Sequence, residues 1–254
     1  MMSDEQVHAA ARMLRAARHD PAHRLAALPE ELTPPDMEAC LAIQAAAAEH
    51  VSIGGWKVGV WSKTEFFCAP MPAHGIHASP ANPGANLGAG VMRGVEAEVA
   101  FRIGHGLPPR EHPYSRDEVI AAMATAHPAI ELLESAFLDP DAIDRLSNLA
   151  DSLMHGAFVH GHGVADWHGL DFPAMTVTQH IAGLPDMQRT GNPAGDMVRL
   201  VEWLANVGSV WAGGLRHGQY VTCGSWTGKT LAPPGARISV SFPGLGEAEA
   251  AYQA

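Results

Sequence analysis

Two glutamates, Glu96 and Glu98, lie two residues apart in Gly94-Val95-Glu96-Ala97-Glu98-Val99-Ala100-Phe101-Arg102-Ile103. Val95, Ala97, Val99, Phe101 and Ile103 take alternate positions, so the segment reads as a strand with the acids on its other face, beside Ala100 and Arg102. Carboxylates spaced in this way project side by side, about 7 Å apart at the backbone. Long Glu side chains can converge from there on one hard cation, which takes oxygen ligands. Spacing alone describes a half-buried strand with a charged solvent face equally well. A third acid, Glu131, sits in His127-Pro128-Ala129-Ile130-Glu131-Leu132-Leu133-Glu134-Ser135, an apolar segment with few charges. Carboxylates rarely bury there unless paired or metal-bound. Lys57 lies in Gly54-Gly55-Trp56-Lys57-Val58-Gly59-Val60, a pattern of a strand whose backbone is approached closely. Taken singly it would be a surface lysine with its stem along apolar surface. Together these residues form a set able to hold a divalent cation with an ammonium beside it.

Other segments carry weaker signals. Gly224-Ser225-Trp226-Thr227-Gly228-Lys229-Thr230 falls one residue short of a phosphate-binding loop, whose glycines have four residues between them rather than three. Its hydroxyls, Ser225 and Thr227, and nearby amides read either as a carboxylate receptor or as a plain strand-ending turn. His155, His160, His162 and His168 crowd one segment. Their spacing matches no zinc motif, so they read as surface histidines. Asp151 before the Gly/His-rich stretch reads, alone, as a turn or helix cap.

The elements that must position these groups follow from periodicity. Residues 5–19 read as a helix with Val7, Ala11, Leu14 and Ala17 as its apolar stripe and Arg12, Arg15 and Arg18 off it. Thr33-Pro34-Pro35-Asp36 reads as a helix start with Thr33 as cap, leading into an alanine-rich helix over 37–49. From about residue 52 glycine, proline and β-branched residues replace helical periodicity, giving a helical region, 1–52, and a β-rich catalytic domain, 53–254. Within the latter, Ser115 and Glu118 form a capping box for a helix to about Thr125. A further helix is expected over 195–213, and strands over 220–224 and 237–242.

Composition narrows the classes. The chain has 254 residues, 47% hydrophobic and 17% charged, which is the profile of a folded protein with a sizeable core. A formal charge of −11 disfavours nucleic acid as a partner. No apolar run approaches the roughly 20 residues of a membrane span, and the acidic start lacks a secretion signal. The three cysteines are widely spaced and read as reduced thiols, so a cytoplasmic location is expected.

The motifs occur in a recognisable order. Gly-Trp-Lys-Val-Gly, Val-Glu-Ala-Glu-Val-Ala-Phe, Pro-Ala-Ile-Glu-Leu, Ala-Asp-Ser, Gly-Asn-Pro, a Trp-Leu-Ala-Asn helix and Cys-Gly-Ser-Trp-Thr span nearly the whole chain. In this the sequence resembles the 2-keto-4-pentenoate hydratase / 2-oxo-hexenedioate decarboxylase family of the fumarylacetoacetate hydrolase superfamily. The resemblance implies an α+β fold, a mixed β-sandwich roll with an N-terminal helical extension. It implies Mg²⁺ or Mn²⁺ on Glu96, Glu98 and Glu131, Lys57 next to the substrate, a homo-oligomer, and short 2-oxo or 2-hydroxy-dienoic acids as substrates. Such an acid can chelate the cation through its C1 carboxylate and C2 oxygen, and the cation then stabilises the enolate formed as a proton moves along the chain.

Three departures stand out. The family's Gln-Pro-Asp-Phe-Gly is matched by Met71-Pro72-Ala73-His74-Gly75, so an acid is missing and His74 is the candidate to replace it. Asp-Ser-Arg is matched by Glu134-Ser135-Ala136, and Ala-Asp-Asn by Ala150-Asp151-Ser152. The leading expectation is a hydratase of a 2-hydroxy-2,4-dienoate. Glu96, Glu98 and Glu131 hold the metal, Lys57 handles a proton or the carboxylate, and Asp151, His74, Ser225 and Thr227 assist. The alternatives are a 2-oxo-enedioate decarboxylase with Lys229 reading the second carboxylate, a carbon–carbon hydrolase of an acylpyruvate, and a 2-oxo-acid binding protein that has lost turnover.

Overall fold

The computed structural model describes residues 2–83 and 92–253. The chain opens with α1 (Asp4–His19) and α2 (Met37–Ala48). Ser3 caps α1 in a capping box with Gln6. The cap of α2 is Asp36, whose carboxylate accepts from the Ala39 amide. Thr33, expected in that role, instead donates its hydroxyl to the Pro29 carbonyl. The two helices bury Val7, Ala11, Leu14 and Ile43 against Ala136, Phe137 and Ala150, so their apolar stripe is spent on a segment far downstream in the chain.

Strands β1 (Ile53–Val60), β2 (Phe66–Pro72), β3 (Ile76–Ala78), β4 (Gly94–Ile103), β5 (Met123–Leu133), β6 (His155–His160), β9 (Tyr220–Thr222) and β10 (Thr230–Leu231) form a mixed sheet. Its order is β2-β1-β9-β4-β5-β6-β3, with β10 on the start of β4. The pairs β1–β9 and β3–β6 are parallel and the others antiparallel. The strands at the two ends of this order, β2 and β3, are joined by a single turn at Ala73–Gly75, so the sheet curls into a roll. Inside it Met71, Ala100, Ala129 and Phe158 pack with Ile76 and Tyr220. The inner wall is close: a Cβ on Gly55 would lie 2.5 Å from the Tyr220 carbonyl oxygen, which is why the strand carrying Lys57 needs glycine there.

A second antiparallel sheet, β12-β11-β7-β8, covers the outer face. It comprises β7 (Thr176–Ile181), β8 (Met187–Thr190), β11 (Arg237–Phe242) and β12 (Gly246–Ala251). Val95, Ala97, Val99 and Phe101 of β4 meet Val177, Ile238, Val240 and Phe242 in the main core. The alternation read in β4 therefore separates two covered faces. Its apolar face meets the second sheet and its acidic face lines the roll.

Three helical segments complete the fold. α3 (Arg116–Ala122) has the Ser115/Glu118 capping box but stops at Ala122, where β5 begins. α4 (Arg145–Ala150) follows β5. The helix expected over 195–213 is α5 (Met197–Trp203), continued by a π-helical turn over Leu204–Gly208 and a tight turn over Val210–Ala212. No helix among the described residues is long and apolar enough to cross a membrane.

Candidate active site

Register brings the three acids together. In the β4–β5 ladder Glu96 pairs directly with Glu131, and Glu98 lies one inward position further on, across from Ala129. Directly opposed side chains start about 4.5–5.5 Å apart, and here one carboxylate oxygen of each of Glu96, Glu98 and Glu131 lies within 4.8 Å of the others. Lys57 enters from β1, across β9, where it pairs with Thr222. Its Nζ donates to Glu131 Oε1 at 2.8 Å and to the Leu153 carbonyl at 3.0 Å. The Thr222 hydroxyl donates to Glu98 Oε2.

Glu131 is fully buried and its two oxygens differ. Oε1 receives both Lys57 and His155 Nδ1, the latter at 2.8 Å, whereas Oε2 is buried with no hydrogen-bond partner. An unpartnered buried carboxylate oxygen costs about 1–3 kcal/mol or more. It lies in the same trio as Glu96 and Glu98, so the residues present fit a divalent cation bound by oxygen ligands.

The electrostatics agree. Burial pushes the Glu96 carboxyl up to about 7, with the Glu131 charge adding to it and Lys57 opposing it. Burial and the two neighbouring acids hold Glu98 well above the usual carboxylate range. Burial also acts on Glu131, but Lys57 and His155 outweigh it and keep this carboxyl below its ordinary value. Lys57 is raised: the three acids around it outweigh the opposing effect of burial, so its ammonium is the stable form. Without a cation, then, protons relieve the mutual repulsion of the trio.

The floor of this cluster is a backbone feature that periodicity does not reveal. Ser152, Leu153 and Met154 have φ of 53°, 49° and 62°. Each non-glycine residue in the left-handed region costs about 1–2 kcal/mol, and the run turns the Leu153 carbonyl onto Lys57. It is held by Arg18 of α1, which donates Nε to Asp151 Oδ1 at 2.5 Å, Nη2 to the Asp151 carbonyl at 2.6 Å and Nη1 to the His155 carbonyl at 2.5 Å. The other Asp151 oxygen accepts from the Ala136 amide and the Ser135 hydroxyl.

The other candidates are placed as follows. Asp151 is buried and spends its carboxylate on Arg18, the Ala136 amide and the Ser135 hydroxyl. Ser225 contacts the Glu96 carboxylate and accepts from the Gly228 amide, so it borders the cluster. Thr227 uses its hydroxyl on Gln179 and the Ala97 amide, within the sheet framework. Lys229 pairs with exposed Asp141. His74 sits in the exposed turn between β2 and β3, on the wall of a cavity of about 550 Å³ whose lining includes Asp151 and His155 but none of the three acids.

Two residues were misread from sequence. His155 is not a surface histidine: it begins β6, where Ala157 and Val159 face the core, and its ring is buried against Glu131. Arg18 is not off the apolar stripe of α1, since positions 7, 11, 14 and 18 follow one face. That spacing was the available signal.

The fold is that of the fumarylacetoacetate hydrolase type, with a helical region ahead of a mixed roll and a second sheet. The chain is similar to 4-oxalocrotonate decarboxylase from Pseudomonas putida G7, solved with magnesium and adipate, at a TM-score of 0.84 and 20% identity over 99% of both chains. Fumarylpyruvate hydrolase from Pseudomonas aeruginosa, solved with Mn²⁺ and pyruvate, aligns at a TM-score of 0.57 and 15% identity over 80% of this chain and 90% of its own. A fumarylacetoacetate hydrolase family protein from Yersinia pestis CO92 aligns at 0.54 and 16% identity over 80% and 93%. No family model and no curated protein matches the sequence. At these identities the likeness is one of fold.

Proposed function

We propose that the protein is a divalent-metal-dependent enzyme, with Mg²⁺ or Mn²⁺ as cofactor, that adds water to a short 2-hydroxy-2,4-dienoic acid. The observation that carries this reading is the Glu96–Glu98–Glu131 trio with the unpartnered Glu131 Oε2 among its oxygens. A cation held there supplies Lewis-acid stabilisation of negative charge developing on a 2-oxo acid. Lys57 keeps an ammonium beside the trio, aimed by Glu131 and the Leu153 carbonyl. It can neutralise a substrate carboxylate or hold the proton that moves along the conjugated chain. Ser225 orients Glu96, and Thr222 orients Glu98. The three acids that a cation would bind thus have distinct supports.

Decarboxylation of a 2-oxo-enedioate is the second reading, favoured by the similarity to a 4-oxalocrotonate decarboxylase solved with the dicarboxylate adipate. Both reactions need the same activated C1–C2 end and differ at the far end of the chain. Lys229, expected to read the second carboxylate of such a substrate, pairs with exposed Asp141, and its charge also acts on Glu96.

The test follows the ultraviolet chromophore of 2-hydroxypenta-2,4-dienoate with and without Mg²⁺. The hydratase reading expects metal-dependent loss of the chromophore with gain of water. CO₂ release from 2-oxohex-3-enedioate, without hydration of the dienoate, would replace it with the decarboxylase.

A further inference from the structure

The inner face of the roll has a second polar end. Arg102 of β4 lies four residues beyond Glu98, about 13 Å along the strand. It pairs across the ladders with Thr125 of β5 and Tyr220 of β9. Strand alternation puts His127 of β5 on the face of Glu131, and His160 of β6 on the face of Phe158. Met71, Ala100, Ala129 and Phe158 fill the roll between this end and the acid trio. The chemistry proposed for the trio uses none of these groups.

The rings at this end are locked together. His160 stacks on Tyr220 with centroids 4.4 Å apart and 22° between the planes, and His127 meets both edge-on at 5.4 and 5.2 Å. Nδ1 of His127 and Nδ1 of His160 both donate to the Gly161 carbonyl, at 2.9 and 3.1 Å. A carbonyl only accepts, so both Nδ1 atoms carry protons. Nε2 of His127 accepts from the Thr125 hydroxyl at 2.8 Å. Three polar groups are left over. Among the described residues, Nε2 of His160, the Tyr220 hydroxyl and the half-buried Arg102 guanidinium have no hydrogen-bond or ion-pair partner. The chain holds 27 acidic residues and a net charge of −11, and it pairs Arg18 and Arg24 with carboxylates. Arg102 is left without one. The charges that act on His127 and His160 are those of Arg102 and of neighbouring histidines, all cationic. Burial lowers both rings from their ordinary value, His127 to about 4, so Arg102 is the standing charge near neutral pH.

We propose that Arg102, His160 and Tyr220 form a binding site for a small oxyanion, a phosphate or carboxylate group, and that His160 takes up a proton as the anion binds. The guanidinium fork fits two oxygens of either group, and the Tyr220 hydroxyl is a further donor. Nε2 of His160 is a bare acceptor in the free protein, so it joins an anion only as N–H. The anion brings negative charge to a place where only cations act, and that raises the proton affinity of the ring. The titratable and charged groups facing this ring are Arg102 from β4, His127 from β5, His162 beyond β6 and Tyr220 from β9, with the trio further along the same face. The site stands apart from the reaction proposed at the trio.

The probes are sulfate, which does not titrate between pH 5.5 and 7.5, and acetate, each added at constant ionic strength and followed by calorimetry with and without Mg²⁺. At least one should bind, about tenfold more tightly at pH 5.5 than at 7.5, with a heat that depends on the buffer because a proton is taken up. The anion that binds more tightly names the group. Arg102→Met should weaken binding roughly tenfold or more, the effect of losing a charged hydrogen-bond donor. Mg²⁺ titration of the same variant should be unchanged, which shows that the roll is intact. His160→Gln should still bind at pH 7.5 and lose the gain at pH 5.5. Binding that survives Arg102→Met is an adventitious ion only and overturns the site. So does the absence of binding by either anion, and so does binding seen only with Mg²⁺, which belongs to the trio. A gain at pH 5.5 that persists in His160→Gln overturns proton uptake by His160.

Discussion

At the scale of single residues, the trio and Lys57 form a charge cluster in which each member is tolerated because of the others. Replacing Glu98 by Gln keeps the shape and an oxygen for the Thr222 hydroxyl but removes one of three anionic ligands. Mg²⁺ affinity should fall roughly a hundredfold or more, beyond what loss of a group outside the ligand set costs. The metal-free protein should be no less stable, since burial and the neighbouring acids already favour the neutral form of this carboxyl and Gln is neutral as well. Calorimetric Mg²⁺ titration checks this, and unchanged affinity would remove Glu98 from the ligand set. Lys57→Met is the converse case. It leaves Glu131 buried with His155 as its remaining side-chain partner, and breaking a buried pair from one side costs about 3–5 kcal/mol. Urea denaturation should show that loss without Mg²⁺ and a smaller one with it, because a cation replaces the missing positive charge.

At the scale of elements, α1 reaches the site through one side chain. Arg18 bonds three acceptors around the left-handed run 152–154, and that run presents the Leu153 carbonyl to Lys57. Arg18→Met keeps the helix and its packing but leaves the buried Asp151 carboxylate with neutral donors alone. Amide exchange at 152–156 should accelerate at least tenfold while the exchange of β4 and β5 changes little, and turnover should fall through kcat more than KM. Exchange at 152–156 equal to wild type would show that Asp151 and the sheet hold the run unaided. This element also marks where sequence reading ran out. The strand alternation of β4 and the lone acid of β5 were legible, because a period of two and an uncompensated buried charge are local signals. β6 was not: its histidines at both ends masked a short apolar core. β7, β8 and β12 were not either, since β12 (Gly-Glu-Ala-Glu-Ala-Ala) has alternation without β-branched residues and is a strand because β11 pairs with it. Three successive left-handed non-glycine residues at 152–154 have no sequence signature, because tertiary contacts to Arg18 impose them.

At the scale of the whole molecule, the acid cluster ties stability to pH and to metal. Glu96 is held at about 7 in the folded chain against an ordinary value of 4.5, and Glu98 is shifted the same way. The folded state therefore binds more protons than the unfolded chain between about pH 4.5 and 7. The stability these two groups confer is full below the unfolded value and is lost as pH rises through the folded one. Glu131 is shifted the other way, so its contribution is present above the unfolded value and fades only in acid. In metal-free buffer the thermal midpoint should thus decline from pH 5.5 to 7.5 through these acids. Mg²⁺ must displace the protons on Glu96 and Glu98, so its stabilisation, RT ln(1 + [L]/Kd), grows as they ionise. Millimolar Mg²⁺ should raise the midpoint by several degrees at pH 7.5 and by much less at pH 5.5, and in Glu98→Gln the difference should shrink. Thermal scans at the two pH values, with Mg²⁺ and with EDTA, decide the matter. An equal rise at both would mean that the cation binds away from the trio, and with it would go the metal centre on which the proposed chemistry depends.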